Sequence, residues 1–381
     1  MGNEIMGRPL RALWSISLVL AVITGCGPRR EATETFLCRI DTGRLVPGSI
    51  TVGADRRHLL WAEADGKRQR AVFDGQAGPW HDGVLAGTLA ISADGRRFAY
   101  GAGKGKRRFV VLDGIAQKPC DGIREGTPVF GPGGKRAAWG ELRGGFWTVV
   151  ADGRAGWSFD EIWPPLFSPD GVHLAYAART GPRKFAVLDS LPQRPYDDLL
   201  VATLSFEAPG GRLTYAAVDR GKQVQIRDGR PAAQGPAPRP RDRIEPRRVG
   251  GVTVGLSVVH DSIPGPVFDQ VAGTAYSADS ARFAYVARRG PDWHAVVDGR
   301  QGKSHPHIFG NSLAFTADGR HFLFASRSVG RSYAVADDRP GRPYHLLFAE
   351  DDRPIAADSA GAFHYLALRG DSAFVVEERI R

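Results

Sequence analysis

Cysteine, methionine and lysine are scarce in this chain of 381 residues. Three cysteines without a CxxC pair exclude a disulfide-rich scaffold and a zinc site built on paired cysteines. Only 8 Lys stand beside 43 Arg, so most of the positive charge sits on guanidinium groups, which grip carboxylates and phosphates in a forked geometry. Helical periodicity is also missing, whereas 48 Gly residues indicate many tight turns between short strands. These features are typical of an all-β protein.

The N-terminal 25 residues have the pattern of a secretory signal peptide. Arg8 and Arg11 precede an uncharged, largely apolar run from residue 12 to residue 25. As a helix, this run would rise roughly 21 Å, which is shorter than the ~30 Å hydrocarbon core of a bilayer. The sequence therefore predicts export rather than a permanent membrane span.

The run ends in Ile23-Thr24-Gly25-Cys26, which resembles the lipobox of bacterial lipoproteins. The resemblance implies that the Cys26 thiol receives a diacylglyceryl group and that cleavage makes Cys26 the new N-terminus. Gly27 follows the cysteine, which by the same resemblance favours the outer membrane. We expect a protein that is anchored in membrane lipid through acylated Cys26 and lies outside the cytoplasm. An ordinary signal peptide followed by an incidental cysteine is the alternative.

A repeat of about 39 residues fills the rest of the chain, and its clearest sign is a Ser/Thr-x-Asp-Gly turn, called here the SxDG turn. The copies lie at Asp55, Asp94, Gly133, Asp170, Pro209, Asp279, Asp318 and Asp358. An aromatic residue follows each turn at a nearly constant offset: Trp61, Tyr100, Trp139, Tyr176, Tyr215, Tyr285, Phe324 and Tyr365. An acidic residue closes each unit: Asp74, Asp113, Asp152, Asp189, Asp228, Asp298, Asp337 and Glu377.

Each unit has the signals of four short antiparallel strands, and this pattern predicts the blade of a β-propeller. A blade cannot bury both of its faces alone, so the blades must close into a ring. The last unit stops at its third strand, and residues 35–38 offer the missing fourth strand. We therefore expect a single propeller over residues 35–381, closed by an N-terminal strand and joined to Cys26 by a tether over residues 26–34.

Eight four-stranded blades fit the repeats best, with nine or seven blades as the alternatives. The alternatives arise because two turns are 70 residues apart, and the sequence between them is Pro- and Arg-rich at about 230–251. We interpret this segment as a looped insertion in the fifth blade. Residues 258–261 resemble a third strand, which would make the gap a damaged ninth copy.

The turn Phe167-Ser168-Pro169-Asp170-Gly171, followed by Ala175-Tyr176, resembles the WD40-like repeats of the TolB-type propellers of bacterial envelopes. The resemblance covers residues 45–380 and implies the propeller architecture. It implies little about function, because propellers serve unrelated tasks. The chain also lacks the N-terminal α/β domain of TolB itself, which argues against a role in the Tol system.

Sites with familiar chemistry are few. The SxDG aspartates are best explained by turn formation, in which Asp bonds the local backbone and Gly adopts a positive φ. His305-Pro306-His307 lacks a recognisable third ligand, so we expect no metal and no cofactor. No catalytic motif appears, although a propeller active site in the central channel would leave little local trace. We expect no disulfide between Cys38 and Cys120, because they fall on blades that are not neighbours.

The turns between the second and third strands of the blades are strongly basic, with 17 basic residues against four acidic ones. Antiparallel pairing brings all of these turns to one end of the sheets, called here the basic face. We expect this face to bind an anionic partner through Lys104, Lys106, Arg107, Arg108, Arg179, Arg183, Lys184, Arg288 and Arg289. The expected partner is an envelope protein or an anionic glycan, and not nucleic acid, because no stacking aromatics accompany the charges.

These observations predict a membrane-anchored, non-catalytic propeller lipoprotein that acts as a protein- or ligand-binding scaffold at the bacterial cell envelope or in the periplasm. The alternative is an exported hydrolase or lyase with an active site in the central channel. Perturbed acids, bases or a metal in the channel would favour the enzyme, whereas a distinctive rim surface would favour the scaffold.

Overall fold

The fold is described from a computed structural model. The chain forms antiparallel sheets of short strands, which carry a buried aromatic residue and are joined by tight Asp-Gly turns. The structure describes residues 18–19, 30–208, 211–232, 242–249, 252–260, 263–349 and 352–381. These residues form nine antiparallel sheets, numbered here in chain order, and two three-residue 3-10 helices at Pro132–Gly134 and Gly310–Ser312. No helix within these ranges is long and apolar enough to span a membrane.

The first five sheets follow the chain without a break in order. Sheet 1 contains Thr51–Val52, Leu59–Asp65, Arg68–Phe73 and Gln76–Ala77. Sheet 2 contains Gly83–Val84, Ala90–Ile91, Phe98–Lys104, Arg107–Leu112 and Ile115–Ala116. Sheet 3 contains Gly122–Ile123, Val129–Phe130, Ala137–Arg143, Phe146–Ala151 and Arg154–Phe159. Sheet 4 contains Glu161–Ile162, Leu166–Phe167, Leu174–Thr180, Arg183–Leu188 and Leu191–Pro192. Sheet 5 contains Asp198–Glu207, Arg212–Asp219, Lys222–Arg227 and Arg230–Pro231.

The last four sheets include the closing strand. Sheet 6 contains Asp242–Val249, Val252–His260 and Ile263–Phe268. Sheet 7 contains Gln270–Tyr276, Phe283–Arg289, Asp292–Val297 and Arg300–His305. Sheet 8 contains His307–Ile308, Ala314–Phe315, Phe322–Ser328, Arg331–Ala336 and Arg339–Pro340. Sheet 9 contains Leu346–Leu347, Ile355–Ser359, Ala362–Arg369, Ser372–Ile380 and the N-terminal strand Arg30–Arg39, with Leu18–Val19 paired at its outer edge.

Aromatic side chains hold consecutive sheets together. All eight repeat aromatics are at most 2% exposed. In several places a ring at the outer end of one sheet packs edge-on against the repeat aromatic of the next sheet. The centroids are 6.1 Å apart for Phe159 and Tyr176, and 6.0 Å apart for Tyr344 and Tyr365. Edge-to-face pairs contribute about 0.5–1.5 kcal/mol beyond the apolar area that they bury. The stacked sheets are the blades of a β-propeller, as the repeat predicted.

The acidic residues that end the third strands link strands and sheets. Asp298 has a φ of 49°, accepts a hydrogen bond from the Phe283 amide at 3.0 Å and pairs with Nε of Arg282 at 2.9 Å. Arg282 then donates to the carbonyl of Gly319, in the next sheet, at 2.9 Å. The same arrangement recurs at Asp113 with Arg97 and Gly134. This repeated acid therefore fixes a turn and positions an arginine that bridges two blades.

The innermost strand of several blades is interrupted by a bulge that sequence analysis did not anticipate. In each case a Ser or Thr hydroxyl donates to the carbonyl three residues earlier and accepts the amide of a small residue in the second strand. In sheet 2, Thr88 donates to Leu85 at 2.6 Å and accepts from Gly101 at 2.9 Å. The residues in this role are Ser49, Thr88, Thr127, Thr203 and Ser312.

Two boundaries differ from the sequence prediction. The described part of the segment expected as a looped insertion at about 230–251 forms strands, because residues 242–249 pair with residues 252–260 in sheet 6. Sheet 6 has three strands and lies between sheets 5 and 7 along the chain, so the described residues form one more sheet than the eight expected blades. The closing strand begins at Arg30 rather than at residue 35, because side chains at both ends of residues 30–34 bind other strands.

Candidate anion-binding surface

The basic face is built from the hairpins between the second and third strands. In sheet 2, Lys104 pairs with Arg107 across the turn, and Gly105 adopts a φ of 58°. Lys104 and Lys106 are exposed, and no ion pair involves either of them within the described residues. The two ammonium groups therefore project from a hairpin tip whose backbone is fixed.

An aspartate from the preceding connection caps many of these hairpins. Asp82 Oδ2 accepts the Gly105 amide at 2.6 Å, and Asp121 Oδ2 accepts the Gly144 amide at 2.9 Å. The carboxylates in this role are Asp82, Asp121, Asp160, Asp197 and Asp269. A carboxylate that accepts a backbone amide fixes the conformation of the turn at its tip. The sequence alone did not predict this role.

The same connections bring acidic partners to several of the expected binding residues. Arg107 pairs with Asp121 at 2.8 Å and Lys184 pairs with Asp198 at 2.7 Å. Further pairs join Arg179 to Glu161 and Arg183 to Asp197. The face is therefore less positive than the turn sequences alone indicated, because several of the chain segments that enter a new blade return to this end and carry acidic residues.

Some cations of the face, Lys184 among them, also lie against aromatic rings or bind backbone carbonyls. Lys184 Nζ is 5.2 Å from the centre of the Trp163 ring. The Arg289 guanidinium is 4.8 Å from the Phe268 ring centre and donates to the Val267 carbonyl at 2.8 Å. Arg108 donates to the carbonyls of Gly105 and Arg107, both at 3.0 Å. Such contacts hold a cation in one orientation while its charge stays available to a ligand.

The nine expected residues do not form one cluster. Lys104, Lys106, Arg107 and Arg108 lie on sheet 2, whereas Arg179, Arg183 and Lys184 lie on sheet 4. Arg288 and Arg289 lie on sheet 7. Sheet 3 separates the first two groups along the chain, and sheets 5 and 6 separate the last two. The sheet 2 hairpin is the strongest candidate site, because its two lysines carry charge without an acidic partner among the described residues.

The SxDG aspartates make local turns, as the sequence predicted. Ser92 Oγ donates to Asp94 Oδ1 at 2.6 Å, and Thr316 donates to Asp318 in the same way at 2.5 Å. These hydroxyl donors hold the pKa of both carboxyls below the ordinary value of 3.8. The equivalent pairs are Ser168 with Asp170 and Ser277 with Asp279. The carboxylates are thus engaged in their own turns.

The histidine pair and the cysteines also have structural surroundings. His305 is buried, and this burial lowers its pKa, whereas His307 is exposed. In the described part of the chain, no three metal-ligating side chains come close enough to hold an ion. Cys38 and Cys120 are both buried, and neither forms a disulfide. Cys38 lies in the closing strand of sheet 9, and Cys120 follows the last strand of sheet 2. Cys26, the expected lipidation site, lies outside the described residues.

One pocket lies against the inner strands, and another lies near the SxDG turns. A pocket of about 300 Å³ lies against the inner strands of sheets 8, 9 and 1 and is lined mainly by apolar residues, which include Ile50, Phe309, Leu346 and Phe348. A more polar pocket of about 590 Å³ lies between sheets 7 and 8, next to Arg300, Gln301 and Asp338. Neither pocket contains the residues expected to bind an anion.

Comparison with known proteins returns propellers at low similarity. No family model and no curated protein matches the sequence. Among solved structures, a eukaryotic initiation factor is 13% identical, with a TM-score of 0.41 over 83% of this chain and 92% of its own. TolB from Acinetobacter baumannii is 14% identical, with a TM-score of 0.23 over 87% of this chain and 64% of its own. The β-propeller domain of the trilobed protease from Pyrococcus furiosus is 10% identical, with a TM-score of 0.31 over 78% and 94%. Likenesses of this size carry no conclusion about function.

Proposed function

We propose that this protein is a lipid-anchored, non-catalytic β-propeller that presents an anion-binding scaffold surface at the bacterial cell envelope. The observation that carries the proposal is the sheet 2 hairpin, where Lys104 and Lys106 are exposed on a turn held by Asp82. Arg108 is fixed beside them by two backbone carbonyls. A group of cations on a fixed turn suits a carboxylate- or phosphate-bearing partner, since little backbone freedom is lost on binding.

The anchor is the second part of the proposal. Acylation of Cys26 would supply two or three chains, and each buried CH₂ contributes about 0.8 kcal/mol to membrane attachment. Replacing Cys26 by Ser removes the thiol that accepts the lipid. We expect Cys26→Ser to move the protein from the membrane fraction to the soluble fraction, and an unchanged distribution would contradict the anchor.

Binding is tested with the purified chain from residue 27 and two defined polyanions, polyglutamate and an anionic polysaccharide. The variant is Lys104→Glu/Lys106→Glu. The matched control is Arg96→Glu/Lys135→Glu, which makes the same charge change at exposed positions on the SxDG turns. At about 1 kcal/mol per cation near an anionic surface, we expect the first variant to bind at least about tenfold more weakly.

The two polyanions separate an acidic protein from a glycan as the partner class. Binding of polyglutamate alone would support an acidic protein, and binding of the polysaccharide alone would support a glycan. Equal affinities of the wild type and both variants for both probes would refute the role of this hairpin. A loss of similar size in the control variant would show that only the net charge matters.

A further inference from the structure

We infer that the anchoring membrane lies at the end of the sheets that carries the SxDG turns, called here the SxDG face, and that the basic face points away from the membrane. This inference rests on the proposed lipidation of Cys26. It follows from where the closing strand begins, how firmly that strand is held, and how few residues separate it from the cysteine.

The closing strand starts at the SxDG face. Arg30 pairs with Ile380, and the Ile380 amide donates to Gly361, in the turn that joins the first and second strands of sheet 9. At the other end of the strand, Arg39 pairs with Ser372, next to the hairpin of sheet 9 on the basic face. The chain therefore enters the propeller at the SxDG face and runs toward the basic face.

Arg30 is fixed at that entry point. Its Nε pairs with Glu378, a residue only 3% exposed, and the Tyr365 hydroxyl donates to the same carboxylate at 2.6 Å. Its Nη1 donates to the Arg339 carbonyl at 2.7 Å, and its guanidinium lies 5.3 Å from the Phe363 ring centre. Peeling Arg30 away would leave a buried carboxylate without its cation, which is strongly unfavourable.

A second anchor holds the middle of the strand. Glu34 accepts hydrogen bonds from Tyr344 at 2.5 Å, Arg369 at 2.6 Å and Arg342 at 3.1 Å. Burial alone would raise the pKa of Glu34, but these three donors outweigh it and lower the pKa below its ordinary value. The strand is thus bound to sheets 8 and 9 at two points and does not lengthen the tether.

The tether between Cys26 and Arg30 is too short to let the basic face lie on the membrane. Four peptide steps from Cys26 to Arg30 span at most about 14 Å, at roughly 3.6 Å per residue. The ten-residue closing strand spans about 30 Å, at roughly 3.3 Å per residue. If the basic face lay on the membrane, Arg30 would stand about 30 Å above it, which is about twice the reach of the tether.

The orientation narrows the choice of partner. Lys104 and Lys106 face the aqueous compartment and not the headgroups of the membrane that holds Cys26. Their partner is therefore an anionic polymer or an acidic protein that approaches from the aqueous side. Lipid headgroups of the anchoring membrane are excluded as the ligand of this hairpin.

The orientation is tested with lipidated protein reconstituted in phosphatidylethanolamine and phosphatidylglycerol vesicles that contain a headgroup-labelled acceptor lipid. Single fluorescent labels are placed at Ala360→Cys on the SxDG face of sheet 9 and at Val329→Cys on the basic face of sheet 8. Val329 is 98% exposed, and both native described cysteines are buried, so the labels react selectively. We expect strong energy transfer from position 360 and much weaker transfer from position 329.

A lengthened tether provides the control. Inserting twenty Gly and Ser residues between Arg29 and Arg30 gives a flexible linker with a typical span of roughly 27 Å, and we expect it to reduce the difference between the labels. Equal transfer from both positions with the native tether, or stronger transfer from 329, would overturn the orientation. Mass spectrometry of the N-terminal peptide separates the two proposals: an unacylated Cys26 refutes the anchor and the orientation together, whereas acylated protein with the reversed order refutes only the orientation.

Discussion

The ion pair between Arg30 and Glu378 allows a quantitative test of how the propeller is closed. The Glu378 side chain is 2% exposed and the Arg30 side chain is 17% exposed. Replacing Arg30 by Ala leaves a buried carboxylate without its cation, and the only remaining side-chain donor in the described structure is the Tyr365 hydroxyl. Removing one partner of a buried pair typically costs about 3–5 kcal/mol of unfolding free energy.

This loss converts into a measurable change in melting temperature. At about 2.1 cal/mol/K per residue, the chain from residue 30 to residue 381 has an unfolding entropy of about 0.7 kcal/mol/K. We therefore expect Arg30→Ala to lower the Tm by about 4–7 °C in calorimetry of the chain from residue 27. The matched control is Arg381→Ala, which removes an exposed pair with Glu31 in the same sheet, at 3.1 Å. An exposed pair contributes about 0–1 kcal/mol, so we expect the Tm to change by about 1 °C or less.

A double variant separates the ion pair from simple loss of packing. In Arg30→Met/Glu378→Gln the buried charges are gone, while the amide oxygen still accepts the Tyr365 hydroxyl. We expect this variant to recover at least half of the Tm lost in Arg30→Ala. If the double variant is less stable than the wild type by the sum of the losses measured for Arg30→Met and Glu378→Gln, the two residues are not coupled. If Arg30→Ala costs no more than Arg381→Ala, the closing strand is not held by this pair.

Three further outcomes are expected. Asp298→Ala removes the acceptor of the Phe283 amide and should cost about 1–3 kcal/mol, whereas Asp298→Asn keeps an acceptor and should cost less than about 1 kcal/mol; urea unfolding compares them. Burial raises the pKa of Cys38 to about 12 and that of Cys120 to about 11, so neither thiol should react with iodoacetamide at pH 8 until the protein is unfolded, and rapid alkylation of the folded protein would contradict the buried positions. The pKa of Glu34 is lower in the folded state, so this carboxylate stabilises the folded protein above the ordinary value of 4.5, and this stabilisation is lost as the pH falls through the folded-state pKa. Glu34→Gln should therefore flatten the acid limb of the curve of Tm against pH. An unchanged curve would contradict the effect of the three donors on Glu34.

Much of the architecture could be predicted because each repeat signal has a local physical cause. The repeat aromatics, such as Tyr176, are buried because they fill the space between blades. Acids such as Asp298 recur because a turn with positive φ tolerates Asp and because its carboxylate binds the amide fifteen residues earlier. The spare N-terminal strand was predicted from the missing fourth strand of the last repeat, and the structure confirms that it pairs with Ser372–Ile380.

The parts that could not be predicted depend on contacts between repeats. Asp197 binds Arg183 of sheet 4 and the backbone amide of Arg220 in sheet 5. A spacing within one repeat cannot predict such a contact, because its partners belong to two repeats. Sheet 6 lacks the SxDG turn and the repeat aromatic, so only residues 258–261 resembled a strand, and residues 242–249 were expected to form part of a loop. The bulges of the inner strands do have a weak sequence signal. Thr88 lies thirteen residues before Gly101, and a Ser or Thr precedes a small residue at the same spacing in four other sheets.

The pairing of Arg30–Arg39 with Ser372–Ile380 also sets the order in which the protein is completed. The strand Arg30–Arg39 can pair only after residues 372–380 have been synthesised, because the two strands are more than 330 residues apart. Contacts this distant in sequence form slowly, because a long loop must close before they stabilise anything. Until then both strands expose unpaired edges, which are prone to pair with other chains. A truncation of a few residues at the C-terminus would therefore leave the N-terminal strand without its partner, and the expected result is an aggregated, protease-sensitive protein rather than a propeller that is one strand short.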